Sequence, residues 1–423
     1  MRQNALPVVN FLLTHKLFTY PMIASNVLGN TRRMNIVLVT ETFPPEINGV
    51  SMSLHRVVEN LSALGHTIEV VCPRRDDRVH LSDSGMFGVQ MVPGLPLPRY
   101  EGLRFGLPAG GALLRRWRTL RPDLIHVATE GPLGWSAVRA ARKLRIPFIT
   151  TFHTNFHSYG AHYGFSFLNK GVLWWLRTVR RHAARTFVPS SGLREELAAA
   201  GFQRLSILGR GVDTALYSPE HRDDALRAEW GAAPDTPVAL YVGRIAGEKN
   251  VPLTIKAYQE MRRMLPDLKL VLVGDGPERP RLEREHPDLH FAGMRRGKDL
   301  ARHYASGDIF PFASTTETFG NVITEAMASG LVVLSYNYAA AQDHVRDGVN
   351  GRTAPFNNPA AYLEAARKLA RERNRWPELR TAARATALQL SWRHIVEGFA
   401  AELSQLLPSP SPTQPAATSI SLS

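Results

Sequence analysis

Short, β-rich apolar runs alternate with helical patterns through nearly the whole chain, and part-way along the alternation starts again. Candidate strands lie at residues 35–40, 67–72, 124–128, 147–151 and 186–188, then at 238–242, 269–273, 289–292, 308–312 and 331–335. Several of these runs are continuously apolar, as parallel strands covered on both faces require. Helical stretches fall between them, for example at 53–64, 252–264 and 321–329, and Pro252 suits a first helical turn, where a missing N–H costs nothing. Strand alternating with helix predicts an α/β fold of doubly wound sheets.

The text between the two series, residues 209–237, is turn-rich and has no sustained strand pattern. At 423 residues the chain is long for one domain and comfortable for two. The expected organisation is a first Rossmann-like domain over 34–215 and a second over 216–390. A helix over 391–407 would return to the first domain. Two such domains leave a cleft, and clefts between domains are preferred ligand sites. Residues 1–33 are apolar but carry His15, Lys16 and Pro21, without a signal-peptide pattern. They are expected to lie outside the folded body, ahead of a start at Met34. The Pro/Ser/Thr-rich tail 408–423 reads as disordered.

Three motifs in the second series stand directly after strands. YVGRIAGEKN brings Gly243 and Gly247 for close backbone turns, with Arg244 and Lys249 as cations that can converge on a diphosphate. In isolation the same loop also reads as solvated and basic. VLVGDGPE supplies a second glycine loop, alone no more than a tight turn. In a doubly wound sheet, however, both loops fall on the ligand edge. Third, ETFGNVITE places Glu317 on a loop and Glu325 about one turn inside the following helix. The helix start between them offers backbone N–H groups suited to phosphate or sugar oxygens. A carboxylate accepts from two neighbouring hydroxyls, so one glutamate suits a ribose and the other a hexose. Two glutamates around a helix start mean little alone; the order of all three motifs gives them meaning.

RIAGEKN, GDGP and ETFGNVITEAMASG, in this order, resemble the signature of glycosyltransferase family 4 on a GT-B fold. ETFPPEINGVSMSLHRVVENLSALGHTIEVV resembles that family's opening glycine loop, helix and second strand. HVATEGPLGWSA, ITTFHTNFHSYGAHYG, VPSSGLREEL and GRGVDTALYSP look closest to its bacterial GDP-mannose-dependent α-mannosyltransferases. The likeness spans roughly 34–400. It implies that Arg244 and Lys249 grip the donor diphosphate, with Gly49 allowing close approach and Arg210 adding a contact. Glu325 would bind the ribose. Glu317 would hold the transferred sugar and act in catalysis, together with His153 near the anomeric centre. Backbone around Phe319, Gly320 and Asn321 would contact the sugar and the distal phosphate. The implied reaction retains anomeric configuration and moves a hexose, expected to be mannose from GDP-mannose, to a hydroxyl acceptor. The alternatives are a UDP-glucose- or UDP-glucuronate-dependent diacylglycerol glycosyltransferase, or a GT-B sugar-nucleotide epimerase.

No cofactor and no metal is expected. Asp-x-Asp is absent, and the His153, His157 and His162 triplet has no nearby carboxylate. A dinucleotide oxidoreductase would need G-x-G-x-x-G after the first strand, where this chain has PEINGVSMS. The formal charge of +14 calls for an anionic partner. No nucleic-acid-binding motif accompanies it, so nucleic acid is not expected. LLRRWRTLR (113–121) and GVLWWLRTVRRHAAR (171–185) combine arginine with tryptophan. They read either as interfacial segments on anionic headgroups or as domain helices with tryptophans in the core. The expected partners are a nucleotide-sugar donor, a lipid or glycan acceptor and an anionic membrane surface. A single cysteine, Cys72, fits a reducing compartment. The expected location is cytoplasmic, peripheral to the inner face of the cytoplasmic membrane.

Overall fold

The computed structural model describes residues 32–46, 49–74, 87–96, 104–152, 175–317 and 319–408. The first domain is built on a parallel sheet of β1 (Asn35–Val39), β2 (Thr67–Pro73), β3 (Gly88–Val92), β6 (Leu124–Val127), β7 (Phe148–Thr151), β8 (Arg185–Val188) and β9 (Leu205–Ile207). Their spatial order is β3-β2-β1-β6-β7-β8-β9, and a short antiparallel pair, β4 (Gly94–Pro96) and β5 (Arg104–Gly106), stands apart. Helices α1 (Gly49–Ala63), α2 (Gly110–Leu120), α3 (Pro132–Leu144) and α4 (Ser191–Ala199) flank the sheet. The continuous apolar run of β1 has a direct cause. Ile36 and Leu38 pack into the core under α1, and Val37 and Val39 into the core under α2 and α3.

The second domain repeats the plan with β10 (Val238–Val242), β11 (Lys269–Val273), β12 (His290–Gly293), β13 (Ile309–Phe312), β14 (Val332–Tyr336) and β15 (Gly351–Ala354). The order is β12-β11-β10-β13-β14-β15, all parallel. Its helices are α5 (Asp224–Glu229), α6 (Val251–Arg262), α7 (Arg279–Glu285), α8 (Gly297–Ser306), α9 (Asn321–Ala328), α10 (Ala340–His344), α11 (Pro359–Arg371) and α12 (Trp376–Leu388). In both sheets the chain winds outward from the first strand, then returns to its other side. Strand order therefore reverses between β1 and β6 and between β10 and β13. The carboxyl ends at such reversals frame the ligand crevice.

A last helix, α13 (Trp392–Gln405), lies beside α1, with Val396, Phe399, Ala400 and Leu403 in the first domain's core. The two chain segments that pass between the domains run side by side there. Val212 N–H donates to Leu390 O at 2.8 Å, and a Cβ on Gly211 would lie 2.5 Å from Trp392 Cα.

All ten expected strands form, within a residue or two at their ends. Five others, β3, β4, β5, β9 and β15, were not anticipated. Each is short or carries polar residues at a sheet edge. In β15, GRTA, Arg352 is buried against Asp347 at 3.1 Å. Cys72 is buried at the end of β2. Of the arginine-tryptophan stretches, Trp117 is a core residue, 1% exposed, so the ring-down membrane reading does not hold for it. Trp175 packs on Trp135 at 4.8 Å, and Trp174 is outside the described residues.

At the amino edge of the second sheet, Asp308 organises a buried charge cluster. It accepts from Arg222 at 3.1 Å, Arg227 at 3.4 Å, Arg380 at 3.0 Å and the Val238 N–H at 2.8 Å. The interdomain segment, α5 and α12 are thereby tied to β10 and β13. Removing one partner strands the others in a poorly solvated place. Asp308→Ala is expected to cost about 3–5 kcal/mol of stability, measured by denaturant unfolding.

Candidate active site

Two loops on the second domain's ligand edge run in backbone contact. Ile245 N–H, in the loop after β10, donates to Asp275 O at 2.9 Å, and Glu278 N–H returns to Ile245 O at 3.1 Å. A Cβ on Gly274 would sit 1.9 Å from Gly243 O, and one on Gly276 2.3 Å from Ile245 O. The glycines of GDGP are therefore required by close approach, beyond the turn itself. Their packing sets the base from which Arg244 and Lys249 project.

Across the strand reversal, the loop after β13 carries Glu317. Its Oε1 accepts from Lys249 Nζ at 2.5 Å and from Ser314 Oγ at 2.7 Å, and its carbonyl accepts from the Tyr338 hydroxyl at 3.0 Å. The first domain meets this pair with Arg210, whose Nη1 lies 3.5 Å from where a Gly49 Cβ would be. Burial lowers the Arg210 pKa to about 10, while the Glu317 charge holds it up. The fold thus gathers Gly49, Arg210, Lys249 and Glu317, drawn from both domains.

Arg244 stands apart. Its side chain is 66% exposed and 3.6 Å from Glu248, so in this arrangement it does not converge with Lys249. Phe319 is buried against His344 and its carbonyl accepts from Ala340 N–H at 2.7 Å. Gly320 has φ +92, which favours glycine, and forms the N-cap of α9. Asn321 Oδ1 is buried without a hydrogen-bond partner among the described residues. Glu325 is half-buried on α9, its Oε2 accepting from the Tyr304 hydroxyl at 3.0 Å. Burial raises its pKa to about 7 against the pull of that hydrogen bond. His153, His157, His162 and Thr318 are outside the described residues.

A family model described as Glycosyltransferase Family 4 matches residues 47–216, and one described as Glycosyl transferases group 1 matches 236–372. A GDP-mannose-dependent alpha-mannosyltransferase of Mycobacterium tuberculosis is 34% identical over 365 residues, covering 85% of this chain and 93% of the relative. The chain belongs to glycosyltransferase family 4. A second M. tuberculosis relative, the GDP-mannose-dependent alpha-(1-6)-phosphatidylinositol dimannoside mannosyltransferase, is 27% identical over 387 residues, with 88% and 96% covered. In three dimensions this glycosyltransferase resembles Anabaena HepE in complex with UDP, at TM-score 0.69 and 20% identity, over 88% of this chain and all of that one. Its fold is GT-B.

Reading the sequence missed several residues that lie against the candidate ones. Tyr304 is buried at a helical position, and nothing in ARHYASGDIF marks its hydroxyl as the partner of Glu325. Ser314 and Tyr338 act from loops, where no periodicity marks them. Glu41, at the end of β1, was also passed over. Burial raises it to about 7, opposed by the N–H groups of Gly106, Leu133 and Gly134. The buried pair of Arg180 and Glu130, with Arg180 3.4 Å over the Phe152 ring, shows that one arginine of the basic stretch is structural.

The raised Glu325 pKa has a sign that can be checked. Between the ordinary 4.5 and about 7 the native enzyme binds a proton that the unfolded chain has released. Its contribution is therefore present below pH 4.5 and is lost as pH rises through 7. Glu325→Gln is expected to flatten the fall of unfolding free energy across that window, measured by denaturant titration at successive pH values.

Proposed function

We propose that this enzyme transfers a mannosyl residue from GDP-mannose to a hydroxyl of a glycolipid, with retention of configuration and without a metal ion, at an anionic membrane surface. The observation that carries the reading is the carboxylate of Glu317 paired with Lys249 of its own domain, with the Arg210 charge of the first domain within electrostatic reach. Such an arrangement suits a sugar diphosphate: the cations face phosphate oxygens and the carboxylate accepts from sugar hydroxyls. Asn321 Oδ1, without a hydrogen-bond partner among the described residues, and the glycine-capped start of α9 add polar groups. Glu325 takes the ribose hydroxyls. Arg244, on the same loop as Lys249, reaches the diphosphate by leaving its exposed pairing with Glu248. Phe319, Gly320 and Gly49 contribute backbone, and His153 takes the catalytic role that the family resemblance gives it.

In the reaction the bond from the anomeric carbon to the phosphate oxygen breaks and a bond to the acceptor oxygen forms on the same face. The acceptor's proton passes to the departing phosphate oxygen. Lys249 and Arg210 stabilise the charge that develops on the diphosphate, the task a divalent cation would otherwise perform. The choice of guanine and mannose is supported by the names of the relatives at 34% identity. The glycolipid acceptor is supported by the phosphatidylinositol dimannoside mannosyltransferase.

With EDTA present, transfer from GDP-mannose and not from UDP-glucose is expected, and NMR of the product should report an α linkage. A strict Mg2+ requirement or a β product would remove the corresponding part of the reading. Glu317→Ala is expected to lower kcat/KM about a hundredfold or more; turnover near wild type would remove the central assignment.

The membrane reading rests on charge. Residues 104–185 hold fourteen lysines and arginines against two acidic residues, Asp123 and Glu130. Arg115, Arg118 and Arg121 at α2 and Arg139, Arg142, Lys143 and Arg145 at α3 are exposed. Both helices bury their apolar sides in one core on the same face of the sheet. No helix among the described residues is long and apolar enough to cross a membrane. Sedimentation with vesicles containing phosphatidylglycerol is expected to carry the enzyme down at low salt and to release it at high salt. No association at low salt would sink the idea.

A further inference from the structure

We propose that Tyr304 is a positioning residue of the donor site: its hydroxyl fixes the Glu325 carboxylate so that one oxygen is committed and the other is turned to the ribose, with Tyr217 bracing Tyr304 from the interdomain segment. The inference rests on the reading of Glu325 as the ribose-binding group.

Tyr304 lies on α8 and is fully buried, so its hydroxyl must find a partner within the protein. That partner is Glu325 Oε2, on α9, at 3.0 Å. A glutamate at this distance from its backbone has several rotamers of similar energy, and one hydrogen bond to a rigid, buried phenol selects among them. Oε1 has no hydrogen-bond partner among the described residues. A single oxygen can accept from both ribose hydroxyls when its other half is held.

The brace has its own anchors. The Tyr217 ring meets the Tyr304 ring edge-on at 5.5 Å. Tyr217 stays in place because Arg384 donates to its carbonyl at 2.7 Å and to Ala328 O at 2.6 Å, joining the interdomain segment to the end of the helix that carries Glu325. Upstream, Asp213 accepts from Tyr217 N–H at 2.8 Å through its carbonyl, and its carboxylate from Arg56 of α1 at 3.3 Å. Among the described residues, the groups that act on Glu325 are these two phenols, Tyr304 from α8 and Tyr217 from the interdomain segment.

This role has a signature that mere packing lacks. The Tyr304 hydrogen bond favours the ionised carboxylate, opposing the burial that raises it to about 7. Ribose hydroxyls donate, so they need that ionised form, and GDP should bind better as pH rises through 7. Calorimetric titration of GDP from pH 6 to 9 is expected to show about a tenfold gain in affinity between pH 6 and 8. In Tyr304→Phe, which keeps the ring, the midpoint should move to higher pH, with the deficit largest near pH 7 and shrinking towards pH 9. Tyr217→Leu, which keeps the phenol of Tyr304, should weaken GDP binding with a smaller displacement of the midpoint. A folded Tyr304→Phe enzyme with an unmoved midpoint overturns the proposal, even if its affinity falls uniformly. The ribose reading is tested separately with 3′-deoxy-GDP: Glu325→Gln should lose the preference for GDP over the deoxy compound. Retention of that preference would fault the reading of Glu325 and leave the Tyr304 result to be judged on its own titration.

Discussion

The donor side of the cleft depends on one backbone contact, the close passage of the loop after β10 over the loop after β11. Only glycine permits it, because side chains at 274 or 276 would overlap the carbonyls of Gly243 and Ile245. The hydrogen bonds between Ile245, Asp275 and Glu278 then lock the two loops as a unit. From that base Lys249 reaches across the strand reversal to Glu317 on the loop after β13. A parallel sheet covered on both faces gives this geometry without a dedicated scaffold, since the loops at the carboxyl ends of its strands all gather on one edge.

The Lys249–Glu317 pair also says how such a site stays stable between substrates. Side chains 19% and 16% exposed are partly removed from water, and each would be costly to leave alone. Joined, and with Ser314 on the same oxygen, they satisfy one another. Under the proposed function a diphosphate takes over the lysine while sugar hydroxyls take over the glutamate. The exchange replaces one set of charge-assisted hydrogen bonds by another, so donor binding is not opposed by an unmet buried charge.

Much of this was legible in the sequence because two kinds of signal survive there. Continuous apolar runs mark strands buried on both faces, which is why β1, β10 and β11 could be read directly. Glycines and charges directly after those strands mark the ligand edge, which is why Lys249, Glu317 and Glu325 stood out. What was not legible depends on distance between elements. GRTA gives no strand signal, because Arg352 enters a buried position only through partners at 347 and 372. The hydroxyl of Tyr304 acquires its task from a glutamate 21 residues away on another helix. The tryptophans of the basic stretches were ambiguous for the same reason: helical spacing alone does not say whether a ring meets a sheet or a membrane, and for Trp117 it meets the sheet.

The two domains are joined on the ligand side as well as through the interdomain segment. Ser191 N–H, at the start of α4 in the first domain, donates to Asp343 Oδ2 at 3.1 Å, and its hydroxyl binds the same carboxylate. A carboxylate at a helix N-terminus meets both unpaired N–H groups and a partial positive charge. Asp343 belongs to α10, and the turn before α10 and its first residue hold the loop after β13: Tyr338 bonds the carbonyl of Glu317 and Ala340 that of Phe319. Drawing the domains apart would break the Asp343 contact, which belongs to the same short segment that bonds the carbonyls of Glu317 and Phe319. The contact with the first domain and the hydrogen bonds to the carbonyls of Glu317 and Phe319 therefore share one short segment, α10 and the turn before it.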